Sequence, residues 1–375
     1  MDMGFNKLDD MIDRMPERGI PGCALIVTKD GKRVYARCAG RANEETEESI
    51  TENTLWWIYS ASKISTCTAA LQLIERGMLR LEDPVSKYLP AFRELFVKTP
   101  EGIKPARNEM KIIHLFTMTG GLDYDTTGAV DETVRCGGDT VEVALAMARK
   151  VLCFEPGTHY RYSLCHDVLG AVVSAVSSMP LGTYLAGNVW QPVGMQDTGF
   201  HPSPEQEKRF ADMFAFDFSE GKAIPLGRKI RPAGTETYES GGGGVFSSAS
   251  DYAKLMTALS LGGISPDGHR ILKEDTVRMM EVNLLDASVR KDLWQGRLFG
   301  YGWGLCGRVH MNGTYSGSHS SEGEFGWDGA AGAYALADRK KGVAMYFGMH
   351  VQECIFAYNQ LHPQMRDLVY EALEL

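Results

Sequence analysis

The chain has 375 residues, 44% apolar and 23% charged, the balance of a globular protein with one large or two ordinary domains. Its 39 basic against 48 acidic residues give a net charge of −9, which argues against a nucleic-acid backbone or an anionic membrane surface as partner. No apolar run approaches the length of a membrane span, and Met1 to Asp10 has neither the basic nor the apolar segment of a secretory leader, so a cytoplasmic location is expected.

In chain order, Phe5, Leu8, Met11, Ile12 and Met15 fall at helical spacing and predict an amphipathic opening helix ending near Gly19. Two apolar runs, Cys23–Val27 and Val34–Cys38, flank Lys29-Asp30-Gly31-Lys32, and an Asp-Gly between such runs signals a hairpin. From Ile64 to Glu75 the segment is apolar on most sides, which predicts a buried helix closing at Gly77. Lys98 to Asn108 is polar and broken by Pro100, Gly102 and Pro105, a surface excursion. Helical patterns follow over Lys111–Thr117, Thr140–Leu152 and Asp167–Val176. Glu155-Pro156-Gly157 feeds an aromatic loop up to Ser163.

After Asn188 the chain reads as loop-rich as far as Gly241-Gly242-Gly243-Gly244. Ser248 and Asp251 then open a helix with Tyr252, Leu255, Met256 and Leu259 on one face. Leu298–Leu305, Ala330–Ala337 and Val343–Met349 read as strands, the last two joined through Asp338–Gly342, and a final helix is expected from about Cys354 to Leu373. Strands at both ends and helices between predict an α+β fold: an antiparallel sheet flanked by helices, built from 1–80 and 236–375, with a mostly helical lobe from 81–235. A cleft between the two is the expected place for a site.

Ser60-Ala61-Ser62-Lys63 stands near one junction. On a helix, positions i and i+3 share a face with Cβ atoms about 5–6 Å apart, so the lysine can reach the serine hydroxyl. A serine needs its proton taken as it attacks, and a helix start offers unpaired N–H groups to developing negative charge. The bland reading is a helix cap followed by a solvated lysine. The same spacing recurs at Ser219-Glu220-Gly221-Lys222, in a polar stretch that should not begin a helix. The eight cysteines, Cys23, Cys38, Cys67, Cys136, Cys153, Cys165, Cys306 and Cys354, form no Cys-x-x-Cys pair and read as reduced, small apolar residues. His159, His166 and His319 have no metal-ligand spacing. Gly300-Tyr301-Gly302-Trp303-Gly304 lacks the helix of a dinucleotide loop, and no Gly-x-Ser-x-Gly elbow occurs.

Several blocks occur in a telling order: Gly19-Ile20-Pro21-Gly22, Ser60-Ala61-Ser62-Lys63, Leu79 to Pro90, His114 to Leu122, Tyr162-Ser163 before Asp167-Val168-Leu169-Gly170, and Gly326-Trp327-Asp328-Gly329-Ala330-Ala331-Gly332. Together they resemble the class C β-lactamase-like serine hydrolases, which share the β-lactamase and penicillin-binding-protein fold. By motif the chain is most similar to the carboxylesterases on that fold and the related acyltransferases.

The resemblance implies Ser60 as acyl-accepting nucleophile, Lys63 as its hydrogen-bonded partner and Tyr162 as the proton shuttle. It implies an oxyanion hole from the backbone N–H groups of Ser60 and Ala330, the latter on the strand after the third motif. Trp327, Asp328 and Gly329 would line the substrate side, with no metal or other cofactor. Two departures stand out. Trp327-Asp328-Gly329 replaces Lys-Thr-Gly, so the usual carboxylate anchor of a β-lactam or D-alanyl peptide is lost, and an Asp328 facing the cleft would repel a carboxylate. Tyr162-Ser163-Leu164 replaces Tyr-x-Asn. The expectation is a serine hydrolase of small carboxylic esters. A β-lactamase, a D-amino-acid peptidase or amidase, an acyltransferase and an inactive binding module on the same fold are the alternatives.

Overall fold

A computed structural model describes residues 4–43, 45–227, 234–294 and 298–375. The expected loop-rich stretch after Asn188 includes 228–233, which lie outside the described residues.

Among the described residues, seven strands form the main sheet, all neighbours antiparallel. Their spatial order is Lys32–Gly40, Gly22–Lys29, Val343–Met349, Tyr334–Asp338, Phe325–Asp328, Arg308–His310 and Tyr301–Trp303. The first and last parts of the chain therefore meet at the Gly22–Lys29 and Val343–Met349 pair, where Leu25 lies opposite Phe347. The predicted hairpin turns at Asp30 and Gly31, both at positive φ (50° and 77°), as a two-residue turn matched to strand twist requires.

Period-two alternation assigns the two faces. Leu25, Val27, Met345 and Phe347 pack under the terminal helices Asn6–Asp13 and His362–Ala372, with Leu8, Ile12, Met365 and Val369. Ala24, Ile26, Ala335, Ala337 and Ala344 face the other way. Small side chains there let the Ala249–Ser260 helix lie close on the sheet, carrying Tyr252, Leu255 and Met256. Beyond it the Ser62–Glu75 helix is buried from Ser62 to Leu73 and packs against the Cys165–Ser177 helix. Among the described residues no single helix is long and apolar enough to cross a membrane.

Several expectations shift. The polar excursion is a small hairpin, Phe96–Thr99 with Gly102–Pro105. Helix Thr140–Met147 stops short of Leu152, and the final helix is a wide turn, Ala357–Leu361, running into His362–Ala372. Of Leu298–Leu305 only Tyr301–Trp303 is strand. Its partner Arg308–His310, and Phe325–Asp328 beyond that, escape a hydropathy reading because Arg308, Glu324 and Asp328 are buried charges at or beside these strands.

Candidate active site

Ser60 sits in a 3-10 turn, Tyr59–Ala61, that runs directly into the Ser62–Glu75 helix. The turn is fixed from both sides. Ile58 N–H donates to the Val245 carbonyl at 3.0 Å, Val245 N–H donates to Ser62 Oγ at 3.1 Å, and the buried Tyr252 hydroxyl donates to the Ala61 carbonyl. Tyr59, just before the serine, has φ +47°, a left-handed conformation that costs a non-glycine residue about 1–2 kcal/mol. Its hydroxyl is held between Met213 Sδ at 3.4 Å and Gln352 Nε2 at 2.6 Å, so its surroundings enforce the strained conformation.

Lys63 is 1% exposed, and its Nζ lies 3.1 Å from Ser60 Oγ, 3.3 Å from the Tyr124 hydroxyl and 2.6 Å from the Gly242 carbonyl. All three directions of the Lys63 nitrogen thus end on an oxygen. The Gly242 carbonyl is itself placed by buried Asp167, whose Oδ1 accepts from Tyr238 Oη at 2.9 Å, Ser240 Oγ at 2.5 Å and Gly242 N–H at 3.3 Å. A Cβ on Gly242 would stand 2.2 Å from Asp167 Oδ2, so the glycine run noted in the sequence permits this close approach.

Tyr162 comes from the aromatic loop, and its ring centroid lies 4.8 Å from Lys63 Nζ. Its hydroxyl oxygen accepts from Trp327 Nε1 at 2.8 Å. Lys63 Nζ thus meets the Tyr162 ring face and bonds to a different phenol, Tyr124. Sequence spacing does not mark that side chain, which lies two residues beyond the His114–Leu122 block. Tyr124 as a whole residue is 48% exposed, while its hydroxyl turns inward within hydrogen-bonding reach of Tyr162 and Ser60. Burial of that hydroxyl, reinforced by Tyr162 and Asp167, holds its pKa well above the ordinary phenol value. Trp303 stacks edge-on against Trp327 at 4.6 Å and completes an aromatic wall.

The third motif divides by strand alternation. Trp327 faces Tyr162, so the next residue, Asp328, points through the sheet to the opposite side. It is 3% exposed and accepts from buried Arg308 Nη1 at 3.1 Å, with Glu324 on Arg308 Nη2 at 3.1 Å. Its expected place among substrate-binding side chains is therefore corrected: its charge is turned away from the cleft. Gly329 packs on the nucleophile turn, since a Cβ there would stand 2.3 Å from the Ile58 carbonyl. Ala330 is exposed and lies in the turn between Phe325–Asp328 and Tyr334–Asp338, not on the strand expected from the sequence.

The second Ser-x-x-Lys copy is a hairpin turn: Ser219 Oγ donates to Asp217 at 2.6 Å, and Lys222 pairs with Glu220 at 3.1 Å. Among the described residues no three His, Cys, Asp or Glu side chains gather as a metal site. His159 pairs with Asp292 at 2.9 Å, and His166 is buried against the Phe116 carbonyl at 3.2 Å.

Comparison with known proteins gives a consistent set. The family model described as Beta-lactamase matches residues 8–353. Esterase EstB of Burkholderia gladioli is 30% identical over 373 residues, covering 90% of this chain and 88% of the esterase. Among solved structures, EstCE1, described as a hydrolase with promiscuous acyltransferase activity, superposes with TM-score 0.81 at 26% identity over 97% of both chains. Simvastatin synthase of Aspergillus terreus superposes at 0.82 over 97% of both chains, and at 21% identity it speaks to fold alone.

Proposed function

The chain belongs to the beta-lactamase family and is a serine hydrolase of that family; from that premise we propose that it cleaves small carboxylic esters through an acyl-enzyme on Ser60. The observation that carries the reading is the Lys63–Ser60 contact at 3.1 Å, made by a lysine whose two other N–H directions end on Tyr124 and Gly242. Ser60 Oγ bonds to the ester carbonyl carbon while its O–H bond breaks and the proton passes to the lone pair of the Lys63 amine, whose two N–H groups are held by Tyr124 and Gly242. From there it moves toward the leaving group by way of the neighbouring phenols. The backbone N–H groups of Ser60 and Ala330 receive the oxyanion. The alcohol C–O bond then breaks, the proton reaches the leaving oxygen, and water releases the acid by the reverse relay.

Ester is preferred to β-lactam or D-alanyl peptide because the third motif offers an indole in place of a lysine, and its carboxylate points away. Acyl transfer to a second alcohol is the other reading, favoured by the 26% identity to EstCE1. The decisive experiment compares turnover of a short-chain nitrophenyl ester with a chromogenic cephalosporin, in wild type and Ser60→Ala. Ester turnover that disappears in Ser60→Ala, with little cephalosporin hydrolysis, is expected; strong cephalosporin hydrolysis would overturn the substrate assignment. An added alcohol that diverts the product to a new ester would favour transfer. Lys63→Ala and Tyr162→Phe should each lose about 10²-fold or more in rate.

A further inference from the structure

The turn that carries Gly329, Ala330 and Gly332 is gripped from behind the sheet by side chains outside every motif. Tyr358 Oη donates to the Gly329 carbonyl at 2.8 Å, and His362 Nε2 lies 3.0 Å from the Gly332 carbonyl. A carbonyl only accepts, so His362 carries its proton on Nε2. The other ring nitrogen, Nδ1, then faces Asp328 Oδ1 at 4.0 Å. The imidazole thus bonds the far side of the turn and stands 4.0 Å from Asp328, the strand residue before it, which buried Arg308 anchors. Tyr358 and His362 meet edge to face at 5.4 Å, and His362 also stacks on Tyr334 at 4.7 Å. Val351 N–H closes the grip on the Ala331 carbonyl at 3.0 Å.

This arrangement bears on the reaction because the gripped turn lies against the nucleophile. Gly329 touches the Ile58 carbonyl, two residues before Ser60, so a shift of the turn moves the Ala330 N–H relative to the serine. Backbone oxyanion donors work only when they stay aimed at the oxygen that becomes charged, and a misplacement of about 1 Å can cost about 10²-fold.

We propose that Tyr358 and His362, with Asp328 behind them, are positioning residues for the second oxyanion donor. The part of Asp328 is its pairing with buried Arg308 at 3.1 Å, which fixes the strand end from which the turn leaves. The inference rests on the acyl-enzyme reading, so its test must separate the two.

The probe is a small alkyl boronic acid, whose serine adduct is tetrahedral with an oxygen in the oxyanion hole, measured beside nitrophenyl ester kinetics. In Tyr358→Phe, which keeps the ring, kcat should fall about 10-fold with KM nearly unchanged, and boronate affinity should fall by a similar factor. His362→Leu should do the same, and His362→Gln, whose amide N–H can reach the carbonyl, should recover part of the loss. A purely structural role would lower Tm without this joint loss of kcat and boronate affinity. Wild-type kcat and boronate affinity in Tyr358→Phe would overturn the positioning role even if the histidine variants fail to fold. If Ser60→Ala abolishes ester turnover and boronate binding while Tyr358→Phe is silent, only the positioning role falls. If Ser60→Ala leaves both intact, the acyl-enzyme reading and the positioning role fall together.

Discussion

At the scale of single residues, the unexpected member of the site is Tyr124. Family likeness points to Tyr162 as the phenol beside the lysine, yet Lys63 Nζ bonds to the Tyr124 hydroxyl at 3.3 Å and meets only the ring of Tyr162. The two phenols are thus separable by experiment. Tyr124→Phe removes a hydrogen-bond partner of Lys63 Nζ and should slow ester turnover about 10-fold or more, with the larger effect in the acylation burst. A variant with unchanged burst and steady-state rates would leave Tyr162 as the sole phenol in the relay. Ser60, Lys63 and Tyr162 were legible because each lies in a short ordered block. Tyr124 was not, because a lone tyrosine past the end of a block has no spacing partner to mark it. Asp328 was legible as a departure but not in its direction, which depends on strand phase.

Among elements, the glycine run Gly241–Gly244 changes most between sequence and structure. The sequence marks it only as a loop. In the fold it lies against two buried helices: Thr66 Oγ1 donates to the Gly241 carbonyl at 2.8 Å, and Asp167 fills the space where a Gly242 side chain would stand. Gly242→Ala should therefore displace the carbonyl that holds Lys63, lowering kcat about 10²-fold and stability by about 1–3 kcal/mol. Kinetics with a thermal melt would check both, and a wild-type kcat would show that Lys63 does not depend on this acceptor. Regular amphipathic elements, such as the opening helix and the Asp30-Gly31 hairpin, were legible because one periodicity and one turn specify them. The strands Arg308–His310 and Phe325–Asp328 were not, because their inward charges satisfy one another across the sheet, a pairing no local window contains.

For the molecule as a whole, buried histidines set a pH limit. Burial depresses His166 to about 3, aided by the nearby Lys63 charge, and depresses His350 to about 4. An unfolded histidine titrates near 6.5, so between that value and the folded values the unfolded chain binds more protons. Stability from these two groups is full above about pH 6.5 and is lost as pH falls, approaching about 2–3 kcal/mol per pH unit near pH 5. Urea midpoints at pH 7, 6 and 5 should decline, with a shallower slope in His350→Gln; an unaltered slope in that variant would remove His350 from the account. The sheet has a further consequence, for how the chain is made. Gly22–Lys29 leaves the ribosome first, but its neighbour Val343–Met349 follows roughly 320 residues later, about 15–60 s at a synthesis rate of ~5–20 residues per second. Throughout that interval the apolar face of the early hairpin has no strand to pair with on its inner edge. The main sheet can close only once Val343–Met349 has been made, whatever part of the chain has folded before it.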